Sequence, residues 1–235
     1  MWTHKKLRSR ILEIHTSQYR WEFLEEPFKS LSKAAVLIPL VLEDDVVKVW
    51  LTKRSEHLRH YKGDVSFPGG KKDPSDANAV DTALREAFEE IGLDSSQVEV
   101  LGEFPPIVNI TPSVVTPVVG IVSNDFHPRP NDEVSLTFKL PLARFLSDRD
   151  HWMRVVEVME SEEFVHFFND VVSEEAVMTY GLTASFLVEI ACGILQKSPE
   201  FSYSPNIDLT PEDPFLPTQR HLAARKLQLT NKSKL

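Results

Sequence analysis

Glu86, Glu89 and Glu90 fall within one turn and a half of the stretch Arg85-Glu86-Ala87-Phe88-Glu89-Glu90-Ile91-Gly92-Leu93. At 3.6 residues per turn they stand at relative azimuths of roughly 0°, 300° and 40°, inside one third of a helix circumference. Like charges at this spacing repel by a few tenths of a kcal/mol per pair. A solvated acidic face tolerates that repulsion, and so does a stripe with a positive charge above it. The most economical such charge is a hard divalent cation such as Mg²⁺, which prefers oxygen ligands. Arg85, one turn before Glu89, is placed to hold that carboxylate.

The stripe needs a helix to carry it. Val80, Leu84, Ala87, Phe88 and Ile91 recur at helical spacing and predict the buried face, with Ser75 or Asp76 as the cap and Gly92 as a left-handed terminator. Just upstream, Phe67-Pro68-Gly69-Gly70 reads as the end of a short strand and a glycine-bearing loop, where backbone can approach a ligand closely. A plain turn fits the two glycines equally well.

Taken together, these residues resemble the Nudix box: a glycine, an acidic residue, then Arg-Glu-x-x-Glu-Glu-x-Gly. Gly70, Arg85, Glu86, Glu89, Glu90, Gly92 and Leu93 match it. Asp76 stands where the box usually has glutamate, the stretch from Asp76 to Arg85 is one residue longer than usual, and Ala87 is smaller than the usual aliphatic. The adjoining segment from Leu51 to Gly70 is similar to the signature of the coenzyme A diphosphatase branch of the Nudix hydrolases. Leu51, Thr52, Arg54, Ser55, Leu58, Arg59, Gly63 and Phe67 to Gly70 carry that similarity.

The composition suits a soluble enzyme. The 235 residues are 42% hydrophobic, enough for one substantial domain with extensions. A net charge of −9 argues against general binding to nucleic acid or to anionic membranes. A polyphosphate must then be met by metal or by a local basic patch, and Lys53, Arg54, His57, Arg59, His60 and Lys62 supply one. Arg54 and Arg59 are the candidates for phosphate binding, because a guanidinium fork matches phosphate oxygens. Cys192 is the only cysteine, so no intramolecular disulfide forms. The longest apolar run, Ala34 to Leu42, contains Pro39 and is too short to span a bilayer, so no membrane insertion is expected.

Residues 1–30 read as a helical or irregular lead-in, 31–200 as the catalytic domain, and 201–235 as a polar, proline-bearing extension. Ala34–Leu42 and Val46–Lys53 are strand-like, with a tight turn at Glu43-Asp44-Asp45. Further strand-like segments surround Val98–Phe104, Val114–Val122 and Val134–Leu140. Pro105, Pro106 and Pro112 suggest a structured loop between the first two. Met153–Val158 and Phe164–Asn169 suit a hairpin. Leu182–Lys197 is a second helix, which Gly181 and Thr183 shape and cap.

The resemblance implies an α/β/α sandwich with a mixed sheet, and Mg²⁺ or Mn²⁺ held by Glu86, Glu90 and Glu89. It implies catalytic duties for Arg85, for Glu89 and for Glu133 in Pro-Asn-Asp-Glu-Val, and substrate contacts from Arg54, Arg59, Gly69 and Gly70. The implied substrate is coenzyme A or an acyl derivative, cleaved at its diphosphate to 3′,5′-ADP and 4′-phosphopantetheine. Which of Glu89 and Glu133 takes the water's proton stays open. Other readings are a Nudix hydrolase of ADP-ribose or a dinucleotide, and a non-catalytic nucleotide sensor, which would be expected to lose the box carboxylates. The chain ends in Ser233-Lys234-Leu235, which matches the address read by the peroxisomal import receptor and predicts a peroxisomal location.

Overall fold

The computed structural model describes residues 1–16, 27–109, 113–158 and 161–232. The terminal Ser233-Lys234-Leu235 and Pro112 therefore lie outside the described residues. In chain order the elements are α1 (His4–Thr16), β1 (Ser32–Glu43), β2 (Val46–Arg54), β3 (Val65–Ser66), β4 (Gly69–Lys71), α2 (Ala79–Ile91) and β5 (Val98–Glu103). There follow β6 (Ile107–Val108), β7 (Ser113–Val122), β8 (Val134–Pro141), β9 (His151–Val158), β10 (Ser161–Val172), β11 (Glu175–Tyr180), α3 (Gly181–Leu195) and α4 (Leu216–Lys232).

One sheet runs β3-β2-β1-β7-β5, with β8 also paired to β2, β4 to β1 and β6 to β7. β1 and β7 are parallel, from Ser32 opposite Ser113 to Leu40 opposite Ile121, while the other pairs are antiparallel, so the sheet is mixed. The central position of β1 explains its nearly unbroken apolar run: both of its faces are covered. Asp44 and Asp45, both at positive φ (49° and 62°), make the two-residue turn that returns the chain into β2.

Helices cover the sheet on both sides. On one side, Ala83, Ala87 and Ile91 of α2 pack against Ala35, Leu37, Val118 and Val122. On the other, Phe186, Leu187, Ile190 and Ile194 of α3 and Leu7, Ile11 and Ile14 of α1 share a core with Ile38, Leu40 and Val119. Each such large side chain, fully buried, contributes about 1.5–3 kcal/mol. The α/β/α sandwich with a mixed sheet is therefore the observed architecture.

Several local expectations are corrected or extended. The cap of α2 is Asn78, whose side chain accepts from the Asp81 N–H at 2.9 Å, and neither Ser75 nor Asp76 serves there. Phe88 is 56% exposed, because the buried stripe is centred on Ala83 and Ala87. Tyr180 occupies the N-cap position of α3 without a side-chain cap, so Thr183 does not cap it. The hairpin of β9 and β10 gains a third strand, β11. Beyond Ser198 the chain packs: Phe215 is buried and meets Phe104 edge-on at 5.1 Å, and α4 buries Thr218, Leu222 and Arg225. Among the described residues no helix is long and apolar enough to cross a membrane.

Candidate active site

The candidate residues converge where β4 lies beside α2. The two glycines do not form a loop; they are the strand β4, pairing Gly69 with Val36 and Gly70 with Ala35. A Cβ on Gly69 would lie 2.5 Å from the Ala35 carbonyl oxygen and 2.6 Å from the Val36 Cα. A Cβ on Gly70 would instead lie 2.6 Å from the carboxyl carbon of Glu86. The first glycine lets two strands pair, and the second leaves room for a carboxylate.

Arg85 organises one half of the cluster. Its Nε and Nη2 donate to the two oxygens of Asp76, each at 3.0 Å, and Nη2 also reaches the Lys71 carbonyl at 2.9 Å. Its Nη1 donates to Glu86 at 3.0 Å and to Glu89 at 3.2 Å, the latter one turn away as the spacing predicts. The Asp76 carboxyl is held well below the usual carboxylate range, chiefly by this guanidinium. The same contact, Asp76 first, drives the Arg85 pKa further up. Asp76 thus fixes the arginine that fixes two glutamates, a role visible in sequence only as an acid ahead of Arg85.

The other half centres on Glu90, which is 5% exposed. It accepts from the Gly69 N–H at 3.3 Å and lies 3.6 Å from Arg54 Nη1. Both contacts are long for a buried carboxylate. Burial pushes its pKa up to about 7, the charges of Glu86 and Glu133 adding to the rise against Gly69 and Arg54. Burial is also the main cause of the raised Glu86 pKa, with Glu89 and Glu133 contributing. The charges of Glu86 and Glu133 thus oppose ionisation of Glu90.

Glu133 is delivered by the loop after β7, which clamps the C-terminal end of α2. There the Arg129 N–H donates to the Ile91 carbonyl at 2.8 Å and the Asn131 N–H to the Glu90 carbonyl at 3.0 Å. The Asn131 side chain donates to the Glu89 carbonyl at 3.0 Å and accepts the Glu133 N–H at 2.9 Å. These bonds satisfy helix-terminal carbonyls that would otherwise lack partners. Sequence reading missed Asn131; its position two residues before the candidate Glu133 was the available signal.

Arg54 Nη2 is 3.6 Å from Glu133, so this arginine bridges the Glu90 and Glu133 carboxylates. Arg59 is exposed and stands outside the ion pairs that join the other residues. The structure thus brings together Arg54, Gly69, Gly70, Arg85, Glu86, Glu89, Glu90 and Glu133, and leaves Arg59 on the adjoining loop. A cavity of about 360 Å³ between β10, α3 and α4 contains none of these residues.

Among the described residues no three acidic or imidazole side chains are already drawn into a metal-binding cluster; arginines stand between the carboxylates. The donor set still fits a hard divalent cation. It offers carboxylate oxygens only, one on a deeply buried side chain with incomplete compensation, beside the gap that Gly70 leaves at Glu86.

The model of the NUDIX domain matches residues 31–158, more than half of the chain. The mouse peroxisomal coenzyme A diphosphatase NUDT7 is 38% identical over 175 residues, spanning 73% of this chain and 74% of the relative. The mitochondrial Nudix hydrolase 15 of Arabidopsis thaliana is 40% identical over 173 residues, spanning 72% of this chain and 61% of the relative. The Nudix hydrolase NudL of Escherichia coli K12 is 41% identical over 165 residues, spanning 69% of this chain and 82% of the relative. With the family's domain and its carboxylate-bearing helix both present, the chain belongs to the Nudix hydrolase family.

Proposed function

We propose that this protein hydrolyses the diphosphate linkage of coenzyme A and its derivatives, releasing 3′,5′-ADP and 4′-phosphopantetheine or its acyl form. The observation that carries the reading is the buried Glu90 carboxylate, which shares Arg54 with Glu133 and has only long contacts to Arg54 and Gly69. Such a group fits a site for Mg²⁺ or Mn²⁺, with Glu86, Glu90 and Glu89 as the ligands. The Leu51–Gly70 segment and the mouse relative's stated activity support coenzyme A as the substrate.

A cation held there would neutralise phosphate oxygens and acidify a water molecule. Glu89 or Glu133 accepts the proton as the water oxygen bonds to phosphorus in line and the bridging P–O bond breaks. The departing phosphate leaves as the second monoester. Arg85, anchored by Asp76, keeps Glu86 and Glu89 oriented. Arg54 exchanges its long carboxylate contacts for phosphate oxygens, a charge-assisted pairing suited to a guanidinium. Gly69 and Gly70 let the substrate approach the strand, and Arg59 adds a further phosphate contact from the loop. Import into peroxisomes through Ser233-Lys234-Leu235 belongs to the same proposal; it is supported by the tripeptide and by the mouse relative's stated location.

The deciding experiment incubates the protein with coenzyme A, ADP-ribose and a dinucleoside polyphosphate, with Mg²⁺ or Mn²⁺ and with a chelator, and resolves the products chromatographically. Equal amounts of 3′,5′-ADP and 4′-phosphopantetheine, formed only with metal, are expected. Cleavage of the other substrates with coenzyme A intact would refute the substrate assignment. No metal-dependent product from any of them would refute the hydrolase reading.

A further inference from the structure

The three-stranded sheet carries an aromatic ladder that none of the proposed chemistry uses. Phe167 on β10 is paired with Trp152 on β9 and with Tyr180 on β11. The Trp152 and Phe167 rings lie 5.3 Å apart and within 5° of parallel, and the Phe167 and Tyr180 rings 5.5 Å apart and within 9°. Arg154 already covers Phe167, at 5.8 Å from its ring. The Tyr180 end is the one turned to the candidate active site. Its hydroxyl donates to Asp64 at 2.7 Å, and the Asp64 carbonyl accepts the N–H of Arg54, whose guanidinium faces Glu90.

Cross-strand aromatic pairing stabilises sheets by itself and accounts for the ladder. It does not account for Tyr61. That residue is 61% exposed, sits at φ 55°, and its carbonyl accepts the N–H of Asp64 at 3.3 Å, the same residue whose carboxylate receives the Tyr180 hydroxyl. An exposed aromatic residue in the left-handed region is unusual, and strain of this kind clusters where a chain presents a side chain to a ligand. Its neighbours Arg59, His60 and Lys62 are exposed on an otherwise acidic protein.

We propose that Tyr61 and the Tyr180 end of the ladder seat the purine base of the substrate, with Arg59 and Lys62 receiving a phosphate on its ribose. The inference rests on the reading that the substrate is a nucleotide diphosphate derivative, and it locates the nucleotide half. A flat base stacks on aromatic rings regardless of its hydrogen-bonding edge, and arginine and lysine serve phosphate at the rim. The diphosphate then runs from this loop past Asp64 to Arg54 and the carboxylates.

Isothermal titration with 5′-AMP, 3′,5′-ADP and 4′-phosphopantetheine tests this in the full chain. Tyr61→Ala should weaken both nucleotides by roughly 5- to 150-fold, the range of one lost base–aromatic stack. Tyr61→Phe, which keeps the ring, should bind them like the parent protein, and 4′-phosphopantetheine should not distinguish the three proteins. Lys62→Ala should weaken 3′,5′-ADP more than 5′-AMP. Unchanged nucleotide affinity in Tyr61→Ala, an equal loss for 4′-phosphopantetheine, or no nucleotide binding by the parent protein would overturn the assignment. Coenzyme A turnover measured alongside separates the two readings. Tyr61-dependent nucleotide binding without coenzyme A cleavage retains this site and removes the proposed substrate. Cleavage with an unchanged KM in Tyr61→Ala does the reverse.

Discussion

Adding one methyl group to each of two adjacent glycines should have opposite consequences. In Gly70→Ala the new Cβ meets only the end of the Glu86 side chain, at 2.6 Å from its carboxyl carbon and 2.6 and 2.8 Å from its oxygens. Ordinary contact begins near 3.4 Å, so the carboxylate must retreat by roughly 0.8 Å. A side-chain terminus can move that far without disturbing backbone, at the cost of its 3.0 Å bond to Arg85. Stability should hardly change. Activity should fall about 100-fold, because a displacement near 1 Å of a positioned group costs that much, and the metal concentration needed for half-maximal rate should rise. In Gly69→Ala the Cβ meets the Ala35 carbonyl oxygen at 2.5 Å and the Val36 Cα at 2.6 Å, both backbone atoms of the central strand. Neither can retreat without breaking the pairing of β1 with β4. Overpacking of this kind costs about 1–3 kcal/mol, or roughly 2–12 °C in Tm for a chain of this size. Calorimetry and a metal titration of coenzyme A hydrolysis on both variants make the comparison. Equal loss of Tm in the two, or full activity in a well-folded Gly70→Ala protein, would refute the assignment of Glu86 to a tightly placed ligand.

The glycine pair also shows where sequence reading runs out. Glycine counts as a breaker by propensity, so Gly69-Gly70 reads as a loop; the reason for glycine lies across the sheet, in Ala35 and Glu86, which sequence spacing does not connect. The carboxylate stripe was legible because all its members ride on one helix, where period alone sets direction. The buried face of that helix was legible only in part. Ala83 and Ala87 are small, hydropathy ranks them below Phe88, and close helix–sheet packing reverses the ranking. Asp76 looked like a cap because acids cap helices, but its bidentate bond to Arg85 is stronger and tertiary. Glu133 could be singled out by its neighbours, whereas the clamp by Asn131 depends on the end of α2 being nearby. α4 was missed because Leu-Pro-Thr-Gln-Arg-His has little apolar period; its order comes from tertiary contacts such as Thr218 with Glu189 and Arg225 with Glu163.

Four further outcomes are expected. Glu90→Gln should abolish metal-dependent turnover with the fold retained, because an amide keeps the shape and removes a buried charge; circular dichroism and the product assay check both halves. Arg54→Ala should lower kcat/KM for coenzyme A by about tenfold to a hundredfold, the worth of a charge-assisted contact of roughly 1.5–3 kcal/mol, and should affect an analogue with fewer phosphates less. A fluorescent protein fused ahead of residue 1 should give punctate peroxisomal signal that becomes cytosolic when Leu235 is deleted; diffuse or mitochondrial signal from the complete chain would reject the address. Finally, stability should fall as pH rises from about 5 to 8, through Glu189. This carboxyl is 1% exposed, accepts from Tyr203 at 3.0 Å and Thr218 at 2.7 Å, and has its pKa pushed up to about 8 by burial. Below the unfolded value both states are protonated and no penalty exists. Between the two values the unfolded chain releases its proton and the folded chain keeps it, so folding loses stability with each unit of pH until the folded group also ionises. Glu189→Gln cannot ionise and should remove this part of the slope in urea midpoints measured at pH 5, 6.5 and 8. A slope unchanged by that substitution would mean that the carboxyl enters the core already charged, with the hydroxyls of Tyr203 and Thr218 sufficient to hold it there.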